Sequence, residues 1–267
     1  MATAGPKLEL KGIDCFYGRT QVLAGVDLSM ADGGFTAILG PNGCGKTTLF
    51  KVIARRVAPK SGSIRLNGRP ITEYSSRDLA REVAVVAQES SIAFAFTAWE
   101  VVLMGRTPYL GRLQTESERD YEIVRGAMEL TGTLPLRNRP ITDLSGGEKQ
   151  SVMIAQALAQ ESGLFILDEP TQHLDLSRQL EMMELLKRLN SEGTTIIVVL
   201  HDLNMAARYA DTLALMKEGR VVGTGIPAEL LTPQVVREVF DVSARVDIDE
   251  ETGRVRIEVL EADLVRR

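Results

Sequence analysis

The sequence predicts an α/β fold with an antiparallel β subdomain at its start and a helical subdomain inserted in its middle. Residues 8–30 alternate between apolar and polar types with glycines among them, as antiparallel strands do. From Thr97 to Leu144 helical periodicity dominates and no β-rich run occurs. The near-continuous apolar runs at 164–167 and 195–200 then indicate parallel strands with helices on both faces of the sheet.

Shorter signals predict the elements between these regions. In chain order they are a strand at 35–39, a helix from Thr48, a strand at 63–66 before the turn Asn67-Gly68, a helix at 77–82 and a strand at 83–86. Ser76 is the predicted cap of the helix at 77–82, because its hydroxyl can accept a hydrogen bond from the first helical turn.

Composition excludes several classes of protein. The chain has 267 residues, 44% hydrophobic and 25% charged, which is enough to bury the core of one or two domains. Its formal net charge of −5 argues against a nucleic-acid partner, because nucleic-acid binding favours a basic surface. The two cysteines, Cys15 and Cys44, lack metal-ligand spacing and predict no disulfide framework. No apolar stretch reaches the roughly 18 residues of a membrane-spanning helix.

The most specific motif is Gly40-Pro41-Asn42-Gly43-Cys44-Gly45-Lys46-Thr47, which fits the pattern G-x-x-x-x-G-K-[ST] of phosphate-binding loops. It lies between a predicted strand and a predicted helix, which is the context that this motif requires. The glycines allow backbone N–H groups to converge on a phosphate, and the helix N-terminus adds partial positive charge. Lys46 is then expected to reach the β- and γ-phosphates, and the Thr47 hydroxyl to bind Mg²⁺. The sequence therefore predicts a site for a nucleoside triphosphate.

Two carboxylates follow the predicted strand at 164–167. Ligands of open α/β sheets gather at the carboxyl ends of the strands, so Asp168 and Glu169 are expected to face the nucleotide. Asp168 suits Mg²⁺, through water or through Thr47, and Glu169 suits the orientation or deprotonation of an attacking water. Two acids after a strand are more often a solvated turn, but the phosphate loop in the same chain reverses that preference.

Ser145-Gly146-Gly147-Glu148 opens a predicted helix that continues to Gln160. A capping box, with Ser at the cap and Glu three residues later, accounts for Ser145 and Glu148. It does not account for two consecutive glycines, which cost helix stability in the first turn. A hydroxyl, two glycines and a free helix N-terminus together also make a second anion-binding surface.

Together these motifs resemble the ATP-binding cassette (ABC) family, and the resemblance covers nearly the entire chain. Leu144-Ser145-Gly146-Gly147-Glu148 resembles the signature motif of the family, in a variant that ends in Glu rather than Gln. The other matches occur in the family's order: Tyr17 as the aromatic residue that stacks on adenine, Gln88 as the Q-loop, Pro170-Thr171-Gln172-His173-Leu174-Asp175 as the D-loop and His201 as the switch histidine.

The resemblance implies a P-loop nucleotide-binding core that pairs head to tail with a second copy of itself, each ATP being enclosed by the phosphate loop of one copy and the signature helix of the other. Glu169 is the implied general base, and His201 senses or stabilises the γ-phosphate. The implied ATP-binding residues are Tyr17, Gly40, Pro41, Asn42, Gly43, Cys44, Gly45, Lys46, Thr47, Thr48 and Gln88. The residues implied to contact the ATP of the partner subunit are Ser145, Gly146, Gly147 and Glu148, and Asp175 lies in the implied D-loop. The implied Mg²⁺ ligands are Thr47, Gln88 and Asp168.

The chain departs from the family pattern after the signature motif. Ser151 and Gln156 occupy positions where the family usually has arginines. Both lie beyond the phosphate contact, so we expect them to alter the packing of the helix rather than the activity.

One segment resembles a particular class within the family. Residues 97–113 are similar to the corresponding stretch in importers of iron(III)-siderophores, haem and cobalamin, above all Val102–Tyr109, although simple core packing would equally explain Trp99 and Met104 taken singly. A terminal hairpin predicted at 246–257 resembles the same class. The alternative is a soluble ABC ATPase not coupled to transport, such as an iron–sulfur-assembly ATPase.

The importer interpretation implies a set of partners and a location. The expected partners are a second copy, transmembrane permease subunits and an extracytoplasmic substrate-binding protein, with no nucleic acid, at the cytoplasmic face of the cell membrane as a peripheral protein. Residues 89–113 are expected to contact the permease, with Ala98, Glu100 and Tyr109 as crosslinking positions. The predicted domains are an ABC ATP-binding domain at 6–243, with its helical subdomain at about 90–144, and a C-terminal hairpin extension at 244–267.

Overall fold

The computed structural model describes residues 5–87, 95–111, 113–172, 174–251 and 253–262. The chain divides into two compact units, one formed by residues up to Ile71 and from Thr195 onward, the other by Thr72–Thr194. Within the described residues, no helix combines the length and the apolar character that crossing a membrane requires.

The strands are β1 (Leu8–Tyr17), β2 (Thr20–Met30), β3 (Phe35–Leu39), β4 (Ser61–Leu66), β5 (Arg69–Pro70), β6 (Val83–Val86), β7 (Leu164–Asp168), β8 (Thr195–Val199), β9 (Thr212–Lys217), β10 (Arg220–Gly225), β11 (Val242–Ile248) and β12 (Val255–Ala262). The helices are α1 (Lys46–Ile53), α2 (Ser76–Glu82), α3 (Ala98–Leu103), α4 (Glu118–Leu130), α5 (Gly146–Ala159), α6 (Leu176–Ser191), α7 (Leu203–Tyr209), α8 (Pro227–Leu230) and α9 (Pro233–Phe240). Short 3₁₀ turns occupy Ile71–Glu73, Met104–Tyr109, Leu134–Leu136 and Ile141–Asp143.

The first unit contains an antiparallel and a mainly parallel set of strands. The antiparallel strands lie in the order β2-β1-β4-β5, and Leu8 pairs with both Met30 and Leu66, all three of which are buried. The parallel set has the order β10-β9-β3-β8, in which β3 runs parallel to β8 and β9 while β10 is antiparallel to β9. Every residue of β3 and β8 is buried, and their sequences are apolar except for Thr36 and Thr195, as expected for strands that are covered on both faces. β11 and β12 form an antiparallel hairpin.

The second unit combines a parallel strand pair with a cluster of helices. β6 lies parallel to β7, and both are apolar and largely buried. α3 and α4 pack against α5, and each of the three helices has fully buried residues, among them Val101, Val124 and Ile154. This arrangement confirms the predicted fold class, with an antiparallel β region early in the chain and a helical region in its middle.

Two predicted boundaries were wrong by small amounts. Ser75 rather than Ser76 caps α2, because the Ser75 hydroxyl accepts from the N–H of Asp78 while Ser76 is already helical. α1 begins at Lys46, two residues before the predicted start, since the helical conformation begins directly after Gly45. The division of the chain into domains at 6–243 and 244–267 stays a prediction.

Candidate nucleotide site and signature helix

The loop between β3 and α1 ends in a helix N-terminus without a side-chain cap. Gly45 is the N-cap residue, in a left-handed conformation, and it has no side chain with which to satisfy the first helical turn. Among the described residues, no acceptor contacts the backbone N–H groups of Gly43, Gly45, Lys46 and Thr47. Unsatisfied N–H groups at the positive end of a helix are the elements of an anion site.

The glycines of this loop have two different roles. A Cβ atom on Gly40 would lie 2.2 Å from Met216 O, and one on Gly45 would lie 2.9 Å from Val22 O, so both positions exclude a side chain because β9 and β2 pack against the loop. A Cβ on Gly43 would meet no atom within 4 Å, and Gly43 is exposed. Only Gly43 therefore leaves open space for a ligand, whereas Gly40 and Gly45 hold the loop against the sheet.

The Lys46 side chain crosses the loop and is 6% exposed. Its Nζ donates to Gly40 O (2.7 Å) and Pro41 O (3.0 Å), and its third contact is the weak acceptor Cys44 Sγ at 4.0 Å. An ammonium has three donors, and a phosphate oxygen is a much stronger acceptor than a thiol at that distance. The structure thus holds a buried cation with a donor available for an anion at the loop.

Cys44 lies inside this loop and is buried. Burial raises the pKa of its thiol, and the nearby Lys46 charge only partly offsets that increase. The thiol is therefore protonated at neutral pH, which suits a small packing residue and not a nucleophile.

The turn at Gly219, whose role the sequence did not predict, contacts the phosphate loop through backbone hydrogen bonds. The backbone N–H of Gly219, between β9 and β10, donates to Cys44 O (3.0 Å), and its carbonyl accepts from the N–H of Ala24 in β2 (2.9 Å). A Cβ on Gly219 would lie 2.4 Å from Val22 O. The sequence signal was the Glu218-Gly219 pair between two apolar strands, which marks a tight turn but does not reveal what the turn contacts.

Two further predicted site residues belong to the same unit. Tyr17 ends β1 and is 47% exposed, so its ring is accessible for stacking. His201 is exposed and precedes Asp202, the residue that caps α7 through hydrogen bonds to the N–H groups of Asn204 and Met205. Thr47 is half-buried and Thr48 is buried at the start of α1.

The two predicted acids lie together at the end of β7, in the second unit. Asp168 is the last residue of the strand and is 1% exposed, and Glu169 is 9% exposed. Glu169 has φ 52, a left-handed conformation that a residue with a side chain rarely adopts. Backbone strain of this kind concentrates at functional sites, where the surrounding structure maintains it.

α5 begins with the predicted capping box. Ser145 Oγ accepts from the N–H of Glu148 (3.3 Å), and the Glu148 carboxylate accepts from the N–H of Ser145 (2.8 Å). The backbone and side-chain hydrogen bonds from Ser145 lower the pKa of Glu148. Among the described residues, the N–H groups of Gly146 and Gly147 have no acceptor, so this helix also presents donors at its N-terminus.

The remaining predicted residues divide between the described and undescribed parts of the chain. Asp175 caps α6, with its Oδ1 accepting from the N–H of Arg178 (2.9 Å). Gln88 of the predicted Q-loop and His173 of the predicted D-loop lie outside the described residues. Ser151 donates to Gly147 O (3.1 Å) within α5, and the effect expected of this departure on helix packing stays a prediction.

The loop fits a nucleoside triphosphate with Mg²⁺. Free N–H groups, the buried Lys46 amine and the open side of Gly43 are the donors and the space that phosphates require. The described residues contain no cluster of three or more His, Cys, Asp or Glu that could hold a metal by itself. Mg²⁺ does not need one, because it is usually bound by one or two protein groups together with phosphates and water.

Comparison with known proteins places this arrangement in a family. The model of the family described as "ABC transporter" matches residues 23–172, which include the phosphate loop, the signature segment and both acids after β7. The chain belongs to the ABC transporter family. It is therefore an ABC-type ATPase, as its motifs predicted.

Relatives of this ABC ATPase align over most of its length. It is 39% identical over 239 residues to the iron(3+)-hydroxamate import ATP-binding protein FhuC of Bacillus subtilis, covering 89% of each chain. It is also 39% identical over 238 residues to the ferric enterobactin transport ATP-binding protein FepC of Escherichia coli, covering 89% of this chain and 88% of that one. The hemin import ATP-binding protein HmuV of Myxococcus xanthus is 39% identical over 246 residues, 90% of this chain and 91% of its own.

Solved structures share the fold of this ABC ATPase. A putative metal-chelate type ABC transporter in an inward-facing conformation has a chain that matches with a TM-score of 0.81 and 27% identity, over 96% of this chain and 98% of that chain. A dimeric bacterial ABC transporter cassette matches with a TM-score of 0.75 and 28% identity, over 82% of this chain and 98% of that chain. Both agree with the α/β cassette seen here.

Proposed function

We propose that this ABC ATPase is the ATP-hydrolysing subunit of an importer for a metal chelate of the iron(III)-siderophore, haem or cobalamin type. The ATP-binding part of this proposal rests on the phosphate loop, where the buried Lys46 amine and uncapped N–H groups converge. The import half is supported by relatives, with almost complete coverage, whose names describe import of iron chelates and hemin.

In this proposal Lys46 binds the β- and γ-phosphates, and the N–H groups of Gly43, Gly45, Lys46 and Thr47 bind their oxygens. The other loop residues, Gly40, Pro41, Asn42, Cys44, Gly45 and Thr48, shape the loop, and Tyr17 stacks on the adenine. Thr47, Gln88 and Asp168 are the residues that would hold Mg²⁺, which supplies charge neutralisation to the phosphates.

Glu169 acts as the general base. Its carboxylate is buried and its left-handed backbone is a strained conformation that must be maintained by its surroundings. A buried carboxylate beside the γ-phosphate would accept a proton from the attacking water and orient that water for in-line attack. His201 donates a hydrogen bond to the γ-phosphate and so senses its presence.

A second copy of the chain completes each site. The signature segment of one copy, Ser145-Gly146-Gly147-Glu148, binds the γ-phosphate held by the loop of the other copy, with Asp175 at the contact between the copies. ATP then stabilises a closed dimer and hydrolysis reopens it, which gives a switch between two states. The solved dimeric cassette of the same fold supports this pairing.

The test of the chemistry is the pair of substitutions Glu169→Gln and Lys46→Ala. Glu169→Gln preserves shape but cannot accept a proton, so kcat should fall about 10²–10⁴-fold while ATP binding persists and an ATP-bound dimer accumulates. Lys46→Ala should weaken ATP binding itself, because the phosphate loses its charge partner. Hydrolysis near the normal rate in Glu169→Gln would remove this residue from the role of base.

The importer proposal requires permease subunits, an extracytoplasmic substrate-binding protein and a peripheral position at the cytoplasmic face of the membrane. The structure changes the test proposed from the sequence. Ala98 is fully buried and Tyr109 donates its hydroxyl to Gln160 O (2.9 Å), so neither suits crosslinking. Met104 and Thr107, both exposed in the same segment, are better positions for cysteine.

The crosslinking experiment separates the importer from its alternative. Met104→Cys and Thr107→Cys should crosslink to a cytoplasmic segment of the permease subunit that this proposal requires, and the complex should transport only with hydrolysable ATP. Glu100→Arg is a poorer probe, because the Glu100 carboxylate accepts from both the N–H and the hydroxyl of Thr97 (each 2.8 Å) and its loss would also weaken the cap of α3. The absence of crosslinks at both positions would favour an ABC ATPase not coupled to transport, such as an iron–sulfur-assembly ATPase.

A further inference from the structure

Arg106 connects three elements of the Thr72–Thr194 unit. It lies in the 3₁₀ turn Met104–Tyr109 and is only 4% exposed. Its Nε donates to Asp120 Oδ1 (2.8 Å) in α4, and its Nη1 donates to Ala159 O (2.7 Å) and to Glu161 Oε2 (2.8 Å) at the end of α5. A buried guanidinium is costly unless acceptors surround it, so these bonds fix the spacing of the three elements.

The acceptor in α4 is itself held in place. The Asp120 carboxylate accepts from the N–H (2.9 Å) and the hydroxyl (2.6 Å) of Ser117, which form the capping box of α4. These Ser117 hydrogen bonds, followed by Arg106, lower the pKa of Asp120 to about 2. Asp120 is therefore ionised at neutral pH, and Arg106 has a charged partner with one fixed orientation.

The end of α5 departs from the usual chemistry of a helix C-terminus. Glu161, two residues beyond Ala159, has φ 50, a left-handed conformation that favours glycine at this position. Its carboxylate pairs with Arg106, and the guanidinium lies where a cation complements the negative end of the helix dipole. The residue type at 161 is thus explained by the ion pair rather than by the backbone.

Two neighbours of Arg106 contact the same end of α5. A Cβ on Gly105 would lie 2.4 Å from Gln156 O, so the turn approaches the helix backbone closely. The Tyr109 hydroxyl donates to Gln160 O (2.9 Å), and its ring centroid lies 4.1 Å from the Arg106 guanidinium. We call Gly105, Arg106 and Tyr109 the α5 clamp.

The α5 clamp holds one end of the helix whose other end carries the signature segment. α5 has 14 residues and is therefore about 21 Å long. A tilt of about 3° at its clamped end would displace Ser145 by about 1 Å, and a misplacement of that size at a reacting phosphate costs on the order of 10² in rate. We infer that the α5 clamp positions the signature segment for the ATP of the partner subunit, with Arg106 and Glu161 as positioning residues.

This inference rests on the proposed head-to-tail site, and Glu161→Gly tests it without destabilising the fold. Glycine relieves the left-handed strain at position 161, which offsets the loss of one of the acceptors around Arg106, so the melting temperature should change little. The ion pair to Arg106 is lost, so the ATP-driven dimer of the Glu169→Gln protein should dissociate about tenfold more readily. Binding of a fluorescent ATP analogue to the monomer should not change, because the phosphate loop is intact.

Asp241→Gly is the matched control. Asp241 is also an acid in a left-handed conformation (φ 57) at a helix C-terminus, and it also pairs with a basic residue, Lys217 (3.1 Å), but it lies in the other unit at the end of α9. Its substitution should leave the dimer dissociation constant within about twofold of the parent, as expected for a site that does not share partners with α5. An equal weakening in both variants would overturn the inference.

Tyr109→Phe supplies a second test, since it removes one hydrogen bond to Gln160 and preserves the packing of the ring. It should weaken the dimer about two- to fivefold and lower kcat without changing monomer ATP affinity. If neither Glu161→Gly nor Tyr109→Phe changes dimerisation, the role of the clamp is overturned. The composite site is not overturned by that result, because the parent protein still dimerises. A parent that forms no ATP-dependent dimer would overturn the composite site as well.

Discussion

The N-termini of α1 and α5 differ in how their first backbone N–H groups are capped and in the charge that lies beside them. α1 has Gly45 as its N-cap, which supplies no side-chain cap, and its first residue is the buried Lys46. α5 begins with a reciprocal capping box between Ser145 and Glu148. Both leave backbone donors without an acceptor among the described residues, but α1 adds a positive charge and α5 adds a negative one.

This difference supports the proposal that one terminus binds phosphate alone and the other needs a partner. A phosphate near α1 meets Lys46 and several free N–H groups, so binding needs no other chain. A phosphate near α5 would meet two glycine N–H groups beside the Glu148 carboxylate, which pairs with Arg139 (3.3 Å), so this terminus adds no net positive charge. We therefore expect α5 to contribute only when a phosphate is already neutralised elsewhere, which is what the head-to-tail dimer provides.

Mixed dimers should give the largest effect that tests this comparison. One subunit carries Lys46→Ala and the other Ser145→Arg, so both lesions fall in a single composite site and the second site is intact. Placing both substitutions on one subunit paired with an unmodified one damages both sites instead. The first arrangement should retain more ATPase activity than the second, measured on dimers purified with two different tags.

Equal activity in the two arrangements would remove the support for shared sites, provided that a dimer of two unmodified tagged subunits has full activity. Strong cooperativity between the sites can mask the difference, so ATP occupancy is measured in the same samples. One tightly occupied site in the first arrangement, and one more weakly occupied site held by the intact phosphate loop alone in the second, is the expected pattern.

Gly45→Ala and Gly147→Ala compare the glycines of the two termini. Alanine at position 45 places a Cβ 2.9 Å from the Val22 carbonyl oxygen, at a position whose φ of 105 is rare for a residue with a side chain. It should therefore destabilise the protein by about 1–3 kcal/mol and weaken ATP binding. Alanine at position 147 meets only the end of the flexible Leu174 side chain and gains helix propensity, so its free energy of unfolding should change by less than about 1 kcal/mol.

Denaturant unfolding of both variants, with ATP binding to the monomer, gives the measurement. Gly147→Ala should bind ATP normally as a monomer and form the ATP-driven dimer less readily, because the added methyl group covers the donors of α5. A destabilisation of Gly147→Ala as large as that of Gly45→Ala would show that both glycines are packing residues.

The smallest effect concerns the pH dependence of the capping box. Hydrogen bonds from Ser145 lower the pKa of Glu148, so its contribution to stability is present above its unfolded pKa and is lost as the pH falls through the lower folded value. Glu148→Gln removes this titration and retains an acceptor for the Ser145 N–H. The melting temperature of the unmodified protein should fall more between pH 6 and pH 3 than that of the variant, by the equivalent of at most about 1 kcal/mol. Parallel melting curves would contradict the assignment.

Local sequence signals predicted much of this site. The phosphate loop, the acids at the end of β7 and the capping box of α5 were found because each depends on residues that are close in sequence. The cap of α2 was misplaced by one residue, because Ser75 and Ser76 are chemically equal candidates and only the backbone conformation distinguishes them.

The segment around Arg106 shows that local sequence signals do not predict burial caused by contacts with distant residues. Residues 89–113 were expected to contact the permease, whereas Arg106 within this stretch is buried and contacts residues 14, 53 and 55 positions away in the sequence. A charged residue in a polar stretch normally predicts exposure. Only the convergence of α4 and the end of α5 on this turn supplies the acceptors that make its burial favourable.

The sequence by itself determined which residues are candidates for phosphate binding, because G-x-x-x-x-G-K-[ST] and a capping box act through the backbone of a few adjacent residues. The tertiary structure decided what those residues contact: that Gly40 and Gly45 exclude side chains because β9 and β2 pack on the loop, and that Glu161 replaces a glycine because Arg106 reaches it. Contacts of this second kind join segments distant in sequence, and their geometry is set by how the strands and helices pack.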